Sequence, residues 1–268
     1  MEDTGKRPVE ILVLSDIHLG THGCHAIELL KYLNSIDPKY VILNGDIIDI
    51  WQFKKRYWPN EHMQVLKYFF DLMMRNVPIK YITGNHDEVF RKFDGYRFGS
   101  LAISNKLVLR INEKRHWFFH GDVFDVVMQY SKWLAKLGSL GYDMLITINR
   151  MADQIAKKFG KTRFTLSQRV KNSVKKAVKY INDFELTAAD IAISKKYDCV
   201  VCGHIHQPQK KRVKTHKGEV TYLNSGDWIE NLTALEFNNG LWHIYNYYED
   251  QKAIAQELQP ATETNMNH

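Results

Sequence analysis

The chain opens with an apolar, β-branched run at residues 9–14 that stops at the polar pair Ser15-Asp16. A run that short, bounded by polar residues, predicts a strand rather than a helix. Residues 26–36 then read as a helix, 40–43 as a second strand, and 61–77 as a second helix with Met63, Leu66, Phe70 and Met73/Met74 at helical spacing. Further strands are expected at 79–82, 106–111 and 117–119, and later at 199–202, 220–223, 232–237 and 242–247. Short strands alternating with helices over the first 122 residues are the pattern of stacked β-α units, so the fold class is α/β, of the α+β type.

Residues 123–198 differ in kind. They hold no Pro and repeat apolar positions every three or four residues. Ile148, Met151, Ile155 and Phe159 form one stripe; Leu166, Val170, Val174, Val178 and Ile181 form another. The expected organisation is one domain made of 1–122 and 199–250, a helical insertion or lid at 123–198, and a polar tail at 251–268.

Charge sharpens this division. The 268 residues carry 37 Lys+Arg against 30 Asp+Glu, a net charge of +7. Residues 150–182 alone hold ten Lys/Arg and one acid, so the rest of the chain is close to neutral. A one-sided basic helical block suits an anionic partner such as a phosphorylated substrate or a membrane surface. No recognisable nucleic-acid module accompanies it, so nucleic acid is the weaker partner. No apolar run reaches the ~18 residues a spanning helix needs, and the first residues lack a secretory apolar segment. The expected location is therefore cytoplasmic, peripheral on the inner membrane. Three cysteines, Cys24, Cys199 and Cys202, are too few for a disulfide framework. Cys199-Val-Val-Cys202 lies in an expected strand, where positions three apart face opposite sides, and reads as buried thiols.

The candidate chemistry lies at strand ends. Asp16-Ile17-His18, Gly45-Asp46, Gly84-Asn85-His86-Asp87, His120-Gly121-Asp122 and Gly203-His204-Ile205-His206 each directly follow an apolar run. The carboxyl ends of strands in α/β sheets are where ligands bind, so these motifs are expected to converge. Asp16, His18, Asp46, Asn85, His120, His204 and His206 are too many nitrogen and oxygen ligands for one ion and suit two. A close pair of metals clamps the attacking and leaving oxygens of a displacement and acidifies a bridging water. The ligand types admit Mn, Fe, Co or Zn. Lys54, Lys55 and Arg56, flanked by Trp51, Phe53, Tyr57 and Trp58, are candidate phosphate contacts, as is Arg91. Each reads equally as a solvated surface cation.

The motif order resembles the calcineurin-like metallophosphoesterase superfamily, and within it most the UDP-2,3-diacylglucosamine hydrolases. Ser15-Asp16-Ile17-His18-Leu19-Gly20, His120-Gly121-Asp122 and an insertion of roughly 80 residues before Gly203-His204-Ile205-His206 carry the likeness, as does the closing segment Asn224-Ser225-Gly226-Asp227-Trp228-Ile229-Glu230. The resemblance implies an αββα sandwich with a helical insertion. It further implies that Asp16, His18, Asp46 and His206 hold one metal and Asp46, Asn85, His120 and His204 the other. His86 would bind phosphate and protonate the leaving group, with Asp87 orienting it. The implied reaction cleaves the pyrophosphate of UDP-2,3-diacylglucosamine or a related UDP-linked lipid, giving UMP and an acylated sugar 1-phosphate in lipid A biosynthesis. His86 stands where many of those hydrolases carry Arg. Two other readings compete: a metal-dependent phosphodiesterase or nuclease using the same site, and a non-enzymatic scaffold that keeps the fold.

Overall fold

The computed structural model describes residues 5–55, 57–127 and 166–257. They fall into two compact units, one of Met1–Gly121 with Ala189–His268 and one of Asp122–Ala188.

The larger unit is built on two main sheets. The first has seven strands: β2 (Ile11–Leu14), β4 (Val41–Asn44), β5 (Ile79–Ile82), β6 (Arg97–Phe98), β7 (Leu101–Ser104), β13 (Thr233–Asn238) and β14 (Leu241–Asn246). Their spatial order is β14-β13-β2-β4-β5-β7-β6, with β2, β4, β5 and β7 parallel. The second has the order β11-β12-β10-β9-β8, from β8 (Leu107–Ile111), β9 (Lys114–Phe118), β10 (Cys199–Cys202), β11 (Gln209–Thr215) and β12 (Gly218–Asn224). In it β9, β10 and β12 run parallel. A small parallel pair, β1 (Arg7–Val9) with β3 (Ile36–Pro38), completes the strands.

Side-chain alternation explains the layers. Val13, Ile42, Ile82 and Leu235 from the first sheet share one core with Phe118, Cys199, Val201 and Leu223 from the second. The intervening positions Leu12, Leu14, Val41, Leu43, Ile79 and Tyr81 turn the other way. They pack on α1 (Ala26–Ser35), which buries Ala26, Leu29, Tyr32 and Leu33, and on α2 (Asn60–Met74), which buries His62, Val65, Phe69 and Leu72. Each large apolar side chain buried this way contributes roughly 1.5–3 kcal/mol. The core thus lies on both faces of the first sheet, and the parallel strands of each sheet end in loops on one edge.

Several expectations are corrected here. The stripe Met63, Phe70 and Met74 that signalled the second helix is exposed; the buried stripe starts one residue earlier. Both faces of this helix are apolar, so spacing finds the helix but not its inner side. The run at 9–14 divides into β1 and β2 at Glu10. Strand β11 was hidden by its Lys-Lys-Arg-Val-Lys sequence; only Val213 is buried, and the charges guard a sheet edge. Of the polar tail expected from 251, residues 251–257 continue a helix, Tyr247–Glu257, and the rest lies outside the described residues. Cys199 and Cys202 are buried free thiols, and Cys24 is a half-buried one.

In the smaller unit, a short 3-10 turn, Asp122–Val127, is followed after 165 by α3 (Leu166–Ser194), which continues into the larger unit. Phe124 meets Phe184 edge-on at 5.4 Å, and Phe184 and Ala188 are buried. Val178, of the second apolar stripe, is exposed. The stripe of Ile148, Met151, Ile155 and Phe159 lies outside the described residues. So do the side chains of the basic block, apart from that of Lys179, which is exposed.

Candidate metal centre

Six strand ends feed the site. Asp16 and His18 follow β2, Asp46 and Asp49 follow β4, and Asn85, His86 and Asp87 follow β5. From the second sheet come His120 after β9, His204 and His206 after β10, and Asp227 after β12. The loops are laced together by main-chain bonds: Asp16 N–H to the Gly45 carbonyl (3.0 Å), His18 N–H to that of Asp46 (2.9 Å), and Gly203 N–H to that of His120 (2.9 Å). Asp16, His18, Asp46, His204 and His206 all have φ between 52° and 65°. That left-handed region is uncommon for residues with a Cβ, and strain of this kind is held in place only by a surrounding structure that over-determines it. Two glycines show how tightly the loops approach. A Cβ on Gly45 would fall on the His120 ring, and one on Gly84 would fall on the Asp46 carboxylate.

Three groups of side chains converge closely enough to hold an ion: Asp16, His18 and His206; Asp46, His120 and His204; and His18, Asp46 and His86. Within them His206 Nε2 lies 3.2 Å from Asp16 Oδ1, and His120 Nε2 lies 3.2 Å from Asp46 Oδ2. His18 Nε2 stands 3.9 Å from both Asp16 Oδ1 and Asp46 Oδ2, so Asp46 faces both sides of the cluster. Asp16 Oδ1, His18 Nε2 and Asn85 Oδ1 are buried lone-pair atoms with no hydrogen-bond partner. Buried polar atoms of this kind are costly unless something satisfies them, and a divalent cation fits nitrogen and oxygen donors of this type. The residues present therefore fit a metal centre. Asn85 sits on the loop between Gly84, which faces Asp46, and His86, whose N–H donates to Asp46 Oδ1 at 2.8 Å.

Outside the ligand groups, supporting contacts fix orientation. His120 Nδ1 bonds the Asn44 carbonyl at 2.9 Å, leaving Nε2 for the centre. Asp16 Oδ2 accepts the His204 N–H at 3.0 Å. His86 Nδ1 pairs with Asp49 Oδ2 at 2.9 Å, and the same oxygen lies 3.4 Å from His18 Nδ1. Asp87 does not orient His86. Its Oδ1 accepts the Gly84 N–H (2.6 Å), while its Oδ2 accepts the Ile47 N–H (3.0 Å) and the Tyr81 hydroxyl (2.6 Å). The turn after β5 points Asp87 inward to staple two loops, and Asp49 takes the place expected for it.

Electrostatics follow from these contacts. Burial alone would raise the Asp16 carboxyl, but His206 and His120 outweigh it and bring it down to about 2. Burial likewise opposes ionisation of Asp46, yet His120, His18 and His86 hold it well below the usual carboxylate range. Asp49 is brought to about 2 against its burial by hydrogen bonds to His18 and His86. Burial would lower His86, but the Asp49 hydrogen bond and the nearby Asp46, Asp49 and Asp16 charges raise it. His206 is raised to about 9 in the same way, against burial, chiefly by Asp16.

Of the candidate phosphate contacts, Arg91 lies on the 3-10 turn after β5, with Nη2 donating to the Gly84 carbonyl at 3.2 Å. Lys54 and Lys55 lie on the 3-10 turn Ile50–Lys55, with side chains outside the described set; Arg56 lies outside the described residues. Sequence reasoning missed Asp49, although a second carboxylate three residues after Asp46 in the same loop was its signal. Asp227 was noticed in its motif but given no role.

A curated relative, the UDP-2,3-diacylglucosamine hydrolase of Blochmanniella pennsylvanica (strain BPEN), is 23% identical over 237 residues, covering 86% of this chain and 92% of its own. Similar solved structures include a novel archaeal phosphodiesterase (13% identity, TM-score 0.42, 88% of this chain and 98% of that one). Another is Vacuolar Protein Sorting 29 from Cryptosporidium parvum (12% identity, TM-score 0.36, 88% and 95%). The calcineurin-like phosphoesterase family model matches residues 9–208, from β1 through the last His of the cluster. The chain belongs to the calcineurin-like phosphoesterase family and is a phosphoesterase.

Proposed function

We propose that the protein hydrolyses the pyrophosphate bond of UDP-2,3-diacylglucosamine, or of a closely related UDP-linked lipid, in lipid A biosynthesis. The products are UMP and an acylated sugar 1-phosphate. The observation that carries the reading is the convergence of two Asp/His groups around Asp46, with His86 raised in pKa at their edge. The hydrolase relative, aligned over most of both chains, supports the substrate.

Asp16, His18, Asp46 and His206 would hold one ion and Asp46, Asn85, His120 and His204 a second, with Mn2+ the foremost choice. Bound there, two divalent ions neutralise phosphoryl charge and lower the pKa of water. The chain's own part is positioning and proton supply. Water adds to one phosphorus, the bridging P–O bond breaks, and the departing phosphate oxygen needs a proton. His86 is suited to give it: Nδ1 is occupied by Asp49, which directs Nε2 toward the centre, 4.0 Å from Asp46 Oδ2. Its pKa is raised, the direction that favours the protonated form a general acid requires. Arg91, and Lys54, Lys55 and Arg56, are the proposed cationic contacts for the diphosphate.

No described helix is long and apolar enough to cross a membrane. The basic block at 150–182 supports attachment to the cytoplasmic face of the inner membrane through anionic lipid headgroups.

The test is an assay of purified protein with Mn2+ on UDP-2,3-diacylglucosamine, with UMP read by mass spectrometry. UMP release that vanishes in His120→Ala is expected. Absence of UMP beside rapid hydrolysis of bis(p-nitrophenyl) phosphate would reject this substrate in favour of a general phosphodiesterase.

A further inference from the structure

The loop after β12 holds a buried arrangement that the proposed reaction does not use. Asp227 is fully buried, and its Oδ1 accepts the N–H groups of Ile229 (2.8 Å), Glu230 (2.5 Å) and Asn231 (3.3 Å). Its Oδ2 accepts the Asn231 side-chain amide at 2.5 Å and faces His206 Nδ1 at 4.0 Å. The same Asn231 nitrogen donates to the main-chain carbonyl of His206 at 2.9 Å. An amide NH2 has two hydrogens, so Asn231 spends one on Asp227 and one on the backbone of a candidate ligand. The next residue, Leu232, is itself left-handed at φ 52°, and the Thr233 N–H closes the loop on the Asp227 carbonyl at 3.0 Å.

His206 is the ligand most in need of such a hold. It has φ 52°, follows a left-handed His204 by two residues, and its ring is 30% exposed, whereas His120 is fully enclosed. The local turn contributes the Ile205 N–H to Gly203 carbonyl bond at 2.8 Å. A non-glycine residue in this region costs of order 1–3 kcal/mol, so it persists only where other contacts over-determine it. The Asn231 hydrogen bond is one such contact, and it comes from a different strand end.

We propose that Asn231 and Asp227 are positioning residues for His206. Asn231 pins the strained main chain, and the buried Asp227 carboxylate faces Nδ1, so that Nδ1 carries the proton and the Nε2 lone pair is presented beside Asp16. Outer groups that orient a ligating His act in this way elsewhere, typically through a hydrogen bond, and their mutation costs about 10–100-fold in metal affinity. Here the hydrogen bond is the one from Asn231 to the main chain, and Asp227 acts on Nδ1 through its charge at 4.0 Å. Neither residue touches substrate, and their effect is confined to the ion held by Asp16, His18 and His206. The inference rests on the two-metal reading proposed above.

The test titrates metal-free, full-length protein with Mn2+ by calorimetry, comparing wild type with Asn231→Ser, Asp227→Asn, His206→Ala and the Asn231→Ser/His206→Ala double variant. The expected result is two binding events in wild type and a 10–100-fold weakening of one of them in Asn231→Ser. The other event and the melting temperature of the metal-free protein should change little. The double variant should be no weaker than His206→Ala alone, because Asn231 acts through His206. Asp227→Asn keeps the shape and should weaken the same event, which covers the case in which Asn231→Ser folds poorly. Equal weakening of both events, or unchanged affinity in both Asn231→Ser and Asp227→Asn, would overturn the proposal. Two events of wild-type affinity in His206→Ala would instead overturn the two-metal reading on which it stands.

Discussion

Asp49 Oδ2 lies 2.9 Å from His86 Nδ1 and 3.4 Å from His18 Nδ1, so one carboxylate supports both a candidate metal ligand and the candidate proton donor. Substituting it should affect proton supply before anything else. Burial lowers the His86 pKa, while Asp49, Asp46 and Asp16 raise it. Removing the Asp49 charge therefore moves it down. In Asp49→Asn the alkaline limb of the kcat profile should shift to lower pH, and kcat at pH 8 should fall about 10–100-fold. An unshifted limb would remove His86 from the acid role.

Asp87, by contrast, should report on folding. Its carboxylate accepts three buried donors, and leaving each unsatisfied costs about 1–3 kcal/mol. Asp87→Ala should therefore lose several kcal/mol in chemical denaturation. The folded fraction that remains should keep the wild-type pH limb, since no Asp87 oxygen bonds His86. A limb shift at unchanged stability would return Asp87 to an orienting role.

The strand-end glycines carry a third prediction. Gly84→Ala drives a Cβ into Asp46, and Gly45→Ala drives one into the His120 ring at a backbone φ of 88°. Both should cost about 1–3 kcal/mol of stability and weaken Mn2+ binding at least tenfold. Gly95→Ala, with open space around its Cβ position, should leave Mn2+ affinity unchanged. Equal metal affinity in all three would show that the loop approach is not what places the ligands.

Legibility in the sequence followed how local each signal was. Asp16, Asp46 and His204 sit two residues and His86 four residues past the ends of short strands, and both their strand ends and their convergence could be read from that. The role of Asp49 could not, because it depends on the loops after β4 and β5 meeting, where the Ile50 N–H donates to the His86 carbonyl at 3.2 Å; only the three-residue spacing hinted at it. Asn231 was invisible for the same reason: its partners Asp227 and His206 meet only once β10 and β12 pair. Helix α2 was recognised without its inner side, since Phe69 and Phe70 satisfy the same periodicity one residue apart; of the apolar positions that marked it, Leu66 and Met73 pack on the core while Met63, Phe70 and Met74 are exposed. Strand β11 was lost because an edge strand dressed in lysines has no apolar alternation to read.

Acid sensitivity of the fold should come from two histidines away from the site. His62 Nδ1 accepts the Gly20 N–H at 2.9 Å and so must be neutral there; His116 is buried near Phe118 and Trp242. Burial is the main cause that lowers the pKa of both. The unfolded chain then binds more protons than the folded one below their usual value of about 6.5, so stability falls as pH drops through that value. His86 and His206, whose pKa values are raised, oppose this loss in metal-free protein, so denaturant melts at pH 7.5 and 5.5 are compared between wild type and His116→Phe, in which the loss should shrink or reverse. A loss of the same size in that variant would contradict the assignment for His116.

The central claim is that the strand-end residues form one centre for two ions shared through Asp46. Anomalous diffraction at the manganese edge from crystals soaked in Mn2+ tests it directly. Two peaks about 3.5–4 Å apart are expected. One should lie among Asp16, His18 and His206, the other among Asn85, His120 and His204, with Asp46 between them. A single peak, or peaks away from Asp46, would contradict it.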